Sequence, residues 1–241
     1  DGISLQAGSV PVSLTATDGE VVAITGLLGS GKSRLAEIIF GLFSPRSGQM
    51  RIDGQPYVPA SSTQAVAAGV FMSSKDRSTN AVIPDFNIAN NMTLPFLKKF
   101  STISLLKPRV QRDVAKRMID QIGVICQSEM DSIMTLSGGN QQKVMIGRWL
   151  LEDCRVLLLD EPFQGVDIGA RRDIGRHIRA TAKGRATLVF VSELDEALEI
   201  ADRIIVLNEG AIAGLHENAG VDLSALIAQV TGTSPNSVQV S

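Results

Sequence analysis

The chain has 241 residues, of which 44% are hydrophobic, 20% charged and only 4% aromatic, which suits one large domain or a core with a smaller lobe. A formal net charge of -2 and a pI near 5.8 give no basic footprint and argue against nucleic acid as a partner. Cys126 and Cys154 form no CxxC pair or disulfide framework, and no apolar run approaches the roughly 18 residues needed to cross a bilayer.

The opening DGISL lacks an initiator Met, as expected of a processed protein or a piece of a longer polypeptide. EVVAITG (20–26) is a β-rich apolar run, and a helical stretch follows from Lys32 to about Leu42. GQMRIDG (48–54) alternates and ends in Asp53-Gly54, a tight-turn signal between short strands. VFMSS (70–74) is a further apolar run. Over 107–122, Val110, Val114, Met118, Ile119 and Ile122 share one face of an amphipathic helix, whose charged face is solvated.

A helix follows SGGNQQ, then the run VLLLD (156–160) and a helix from about Asp167 to Ala182. TLVFV (187–191), a helix over 193–201 and IIVL (204–207) come next. Asn208-Glu209-Gly210 reads as a hairpin turn into AIAGL (211–215), a last helix covers about 222–230, and the tail over 233–241 is expected to be loose. Strands without alternation, separated by helices, indicate an α/β fold with a mostly parallel sheet buried on both faces. The expected division is a core of about 1–79 and 152–232 with a helical lobe of about 80–151.

ITGLLGSGKS (24–33) places Gly26, Gly31, Lys32 and Ser33 in the pattern G-x-x-x-x-G-K-[ST], between a strand and a helix. Glycines let successive backbone N–H groups turn towards phosphate oxygens, and the helix start adds its positive dipole. Lys32 would reach the β- and γ-phosphates and Ser33 would ligate Mg²⁺. VLLLDEP (156–162) delivers Asp160 to a strand end, where it can hold Mg²⁺, and puts Glu161 where it can orient or deprotonate water. Together they indicate a P-loop nucleotide hydrolase. LSGGNQQKV (136–144) adds a second set of small residues opening a helix, Ser137, Gly138 and Gly139, either a helix cap with a turn or a second anion site.

LSGGNQQKV followed by LLLDEP resembles the ATP-binding-cassette (ABC) transporter ATPases, in which the SGG segment is the family signature. The NQQK variant and EPFQGVDIGA (161–170) are similar to the monosaccharide-import branch, whose ATPase has two cassettes in one chain. The resemblance runs from about Glu20 to Gly232. GLLGSGKS, SSKDRS and VSELDEALEIADRIIVLNEG look like that branch's second cassette, which implies the C-terminal half of a fused ATPase. It also implies a P-loop core with an N-terminal antiparallel β portion and a helical signature subdomain.

In that family two cassettes sandwich two ATPs head to tail. By resemblance, Gly26, Leu27, Leu28, Gly29, Ser30, Gly31, Lys32 and Ser33 hold this chain's own ATP together with Asp160 and Mg²⁺. Ser137, Gly138, Gly139 and Gln141 would meet ATP held by the first cassette, or by a second copy of this chain. Asp167 takes the place of the D-loop residue near the opposing site. ATP-driven closure would then work a transmembrane permease, served by a solute-binding protein, at the cytoplasmic face of the inner membrane, importing a sugar or sugar-like solute.

Three departures qualify this. Ser192 stands where the family usually has a His that contacts the γ-phosphate, so catalysis would fall to Glu161, Lys32 and a weaker, uncharged Ser192. The place of a Mg²⁺-sensing Gln or Glu falls at Ser74–Lys75, and a Lys repels Mg²⁺. Residues 1–25 contain no aromatic to stack on adenine. A catalytically weak regulatory cassette, or a non-transport ABC ATPase, is the alternative reading.

Overall fold

The computed structural model describes residues 1–6, 8–75, 81–102 and 105–232, and the described chain divides into two compact units. Unit 1 comprises Asp1–Met72, Arg155–Glu161 and Thr181 onward; unit 2 comprises Ser73–Cys154 and Pro162–Ala180. The tail 233–241 and residues 76–80, which include the last three of the SSKDRS segment (73–78), lie outside the described residues.

The first run forms β1 (Val21–Thr25), buried throughout, and the phosphate-loop pattern leads into α1 (Lys32–Ile39). The helix stops short of the expected Leu42. Gly41 takes a left-handed φ of 76°, and a Cβ there would stand 2.9 Å from both Pro59 Cβ and Ser61 O. β2 (Met50–Ile52) and β3 (Gln55–Tyr57) pair antiparallel around Asp53 and Gly54, whose φ values of 50° and 75° are those of a type I′ turn. Then come α2 (Ser62–Ala67), capped by Ser61, and β4 (Val70–Ser73). The N-terminal antiparallel portion consists of this hairpin and a bridge between Ile3 and Val12.

Unit 2 holds α3 (Ile88–Thr93), a 3₁₀ stretch at Leu94–Phe100, the short strands β5 (Ser101–Thr102) and β6 (Leu105–Leu106), α4 (Pro108–Ile122) and α5 (Gly138–Trp149). α3 has no apolar period in sequence, because fully buried Asn91 sits at its centre. Its side chain accepts from Ile83 N and donates to Ile83 O and Phe86 O, stitching down the preceding loop. Ile88, Met92, Met118, Ile122, Ile133 and Met145 build a core for this unit.

β7 (Val156–Asp160), α6 (Ile168–Ala180), β8 (Ala186–Val191), α7 (Leu194–Ile200), β9 (Arg203–Asn208), β10 (Ala211–Glu217) and α8 (Leu223–Thr231) follow the expected order. The main sheet runs β10-β9-β1-β8-β7-β4, with β1–β8, β1–β9 and β7–β8 parallel and only β10 shown antiparallel, to β9. This is the α/β P-loop architecture, with a core of Val22, Ile24, Leu35, Leu158, Phe190 and Ile205. Among the described residues no helix is long and apolar enough to cross a membrane.

Candidate active site

Parallel pairing decides which residues meet. Thr25 pairs with Val191 and Asp160 with Phe190, so Gly26, Glu161 and Ser192 emerge together at the carboxyl ends of β1, β7 and β8. Glu161 N–H donates to Phe190 O at 2.8 Å, and Glu161 has a φ of 48°, a left-handed conformation uncommon outside glycine.

The loop from Gly26 to Ser33 is a glycine-dependent cradle. A Cβ on Gly26 would stand 2.1 Å from Leu207 O, and one on Gly31, at φ 101°, would stand 2.8 Å from Leu5 Cδ1. Gly29 has a φ of 85° with open space around it, and Leu28 is 97% exposed at the apex. Ser30 N–H closes the turn on Leu27 O, and Ser30 Oγ is buried with no hydrogen-bond partner among the described residues. Gly31 caps α1 without a side chain, and the first turn carries no acid, so its N–H groups and dipole favour an anion. These features fit a phosphate chain.

Lys32 is 6% exposed and donates to Gly26 O at 2.7 Å and Ser192 Oγ at 2.9 Å, with Glu161 Oε1 at 3.7 Å. Ser192 Oγ donates to Glu161 Oε1, and Ser192 N–H donates to Glu161 Oε2 at 3.2 Å. The three catalytic candidates therefore form one cluster. Asp160 is buried beside it at the end of β7. Ser33 follows Lys32 in the first turn of α1. A hydroxyl and a carboxylate are hard oxygen donors, the chemistry that suits Mg²⁺ completed by phosphate and water. Lys75 is exposed two residues beyond β4.

Unit 2 carries the second motif. Ser137 is the N-cap of α5, accepting from Asn140 N and Asn140 Nδ2. Ser137 is exposed, Gly138 half-buried and Gly139 buried. Gln141 turns its amide back onto Ile133 O and Leu136 O, bracing the segment ahead of Ser137. Asp167 caps α6 by accepting from Ala170 N at 3.0 Å. Gly139 also has a packing role, since a Cβ there would stand 2.5 Å from Ala170 Cβ.

Two supports of the cradle had no signal in the sequence. Gly210 N–H, in the β9–β10 turn, donates to Ser30 O at 3.0 Å, and Leu5 lies against Gly31. Both contacts are long-range, so no local pattern announces them.

Residues 10–164 match the family model described as ABC transporter. The chain belongs to the ABC transporter family. Nucleotide binding is what that family membership implies for this ABC cassette. It is 37% identical over 222 residues to the ribose import ATP-binding protein RbsA of Geobacillus kaustophilus (strain HTA426), covering 92% of this chain and 45% of that protein. It is 41% identical over 206 residues to the arabinose import ATP-binding protein AraG of Yersinia pestis, covering 85% and 39%. This ABC chain thus spans less than half the length of these curated relatives. Among solved structures, MJ1267, an ATP-binding cassette of an ABC transporter, superposes with a TM-score of 0.80 at 20% identity, covering 96% of each chain. The dimeric cassette MJ0796 bound to ADP and Pi gives 0.73 at 23% identity, covering 88% and 91%. These two establish the fold alone.

Proposed function

We propose that this cassette binds Mg²⁺-ATP and hydrolyses it, as the C-terminal half of a two-cassette protein powering import of a sugar or sugar-like solute. The observation that carries the reading is the cluster of Lys32, Glu161 and Ser192 beside a cradle whose glycines a Cβ would obstruct. Relatives named as ribose and arabinose import proteins support the solute class.

In this mechanism the backbone N–H groups of Leu27 to Ser33 and the Lys32 ammonium hold the phosphates. Ser33 and Asp160 hold Mg²⁺, which supplies charge neutralisation at the phosphoryl oxygens. Glu161 orients the attacking water and accepts its proton, and Ser192 fixes the Glu161 carboxylate through two hydrogen bonds. Ser137, Gly138 and Gly139 present the start of α5 to ATP held by a partner cassette, either the first half of the longer protein or a second copy. Gln141 steadies the segment ahead of that helix start, and Asp167 stands at the start of α6 facing the same partner. The partner-bound pair works a transmembrane permease at the cytoplasmic face of the inner membrane, with a solute-binding protein delivering the cargo.

Lys32→Ala tests the site. Equilibrium binding of a fluorescent ATP analogue is expected to fall at least about 100-fold, the order of a lost charge-assisted contact in a low-dielectric site. Undiminished binding would reject the cradle.

A further inference from the structure

We propose that Ser192 is a latch that ties the phosphate-binding Lys32 to Glu161 in the nucleotide-free chain, so that nucleotide must break this contact to bind. The proposal rests on the nucleotide-site reading above and deepens it.

An ammonium has three donors and no acceptor, and a carboxylate accepts only, so a hydroxyl between them has one possible polarity. Ser192 Oγ accepts from Lys32 Nζ at 2.9 Å and donates its single hydrogen to Glu161 Oε1. The Ser192 N–H holds the other carboxylate oxygen at 3.2 Å. A second Lys32 donor goes to Gly26 O at 2.7 Å, and Glu161 Oε1 stands 3.7 Å from the ammonium. Lys32 is thus a nearly buried cation supplied with both neutral acceptors and a counter-charge by its own chain. The left-handed φ of 48° at Glu161 and the pairing of Thr25 with Val191 bring the three groups together.

A phosphate oxygen arriving at Lys32 has to replace the Ser192 hydroxyl as acceptor. The free chain loses a hydrogen bond when nucleotide binds, and the measured affinity is lower by that amount. Removing the hydroxyl costs only the free state its Lys32 contact, whereas the Ser192–Glu161 bond is lost from both states and cancels. ADP isolates the effect, because it brings a β-phosphate to Lys32 and no γ-phosphate to the neighbourhood of Ser192.

The experiment is a titration of Mg²⁺ and a fluorescent ADP analogue into the chain, comparing wild type, Ser192→Ala, Ser192→Thr and Glu161→Gln. Ser192 is exposed, so its truncation leaves the core intact. Ser192→Ala is expected to bind about threefold to tenfold more tightly, the fold-change of one net hydrogen bond. Ser192→Thr keeps the hydroxyl and is expected to match wild type. Glu161→Gln removes the counter-charge and is expected to tighten binding too; it decides the matter if Ser192→Ala does not fold. Unchanged or weaker binding by Ser192→Ala, or equal tightening by Ser192→Thr, overturns the latch. A wild-type chain that binds no ADP at all sinks the nucleotide-site reading instead, a separate outcome.

Discussion

At the residue scale, Glu161 and Glu129 show two ways a carboxylate is held. Glu161 is fixed by both the hydroxyl and the N–H of Ser192, an arrangement suited to a base whose direction matters more than its affinity for a cation. In the proposed transporter assembly, Glu161→Gln is expected to bind nucleotide at least as tightly as wild type but cut steady-state ATP turnover at this site at least about 100-fold, consistent with loss of a general base. Phosphate release equal to wild type would remove Glu161 from that role. Glu129 is a structural counterpart, 2% exposed, accepting from Arg112 Nε at 2.6 Å with Lys116 at 3.9 Å. The Arg112 hydrogen bond draws its carboxyl below the ordinary 4.5, against the opposing effect of burial. A depressed folded-state value means the contribution is complete above about 4.5 and disappears as pH falls through the lower folded value. Glu129→Gln is expected to lower urea resistance at pH 7 and flatten its acid dependence below pH 4.5; an unchanged acid limb contradicts this.

At the element scale, α5 and α6 approach closely because Gly139 lacks a side chain. Gly139→Ala would bring one Cβ to 2.5 Å from that of Ala170, and neither short side chain can swing aside. The helices must separate, at a cost of about 1–3 kcal/mol, which is expected to appear as a lower thermal midpoint. Gly147→Ala makes an instructive contrast. Its nearest neighbour would be Ile122 Cδ1 at 2.4 Å, the tip of a flexible side chain, so the expected penalty is smaller. A larger loss at Gly147 than at Gly139 would show the reverse ranking of strain. The short helices α2 and α3 had no signature of their own, since six residues are too few for a period and α3 buries an asparagine.

At the scale of the whole molecule, both units carry their own cores and their own share of the motifs. The cradle, Asp160, Glu161 and Ser192 belong to unit 1, and Ser137–Gly139 and Asp167 belong to unit 2. On the proposal that a partner's signature completes the site at its phosphates, this chain alone is expected to bind ATP and hydrolyse it slowly. Turnover per chain should rise with chain concentration or on adding the first cassette, as followed by phosphate release. Fast hydrolysis by a strictly monomeric sample would contradict the dependence on a partner.

The phosphate loop, the run ending in Asp160-Glu161 and the hairpin turns at Asp53-Gly54 and Glu209-Gly210 were legible because each depends on neighbours in the chain: glycine at positive φ, alternation, an apolar run of strand length. The family follows from the same local patterns. Tertiary structure alone decided that Lys32 and Ser192, 160 residues apart, share a hydrogen bond and that Gly210 braces Ser30. The physical reason is that parallel strands are joined by long crossovers. Which strand ends become neighbours is therefore set by sheet order and register, and no spacing along the chain encodes either.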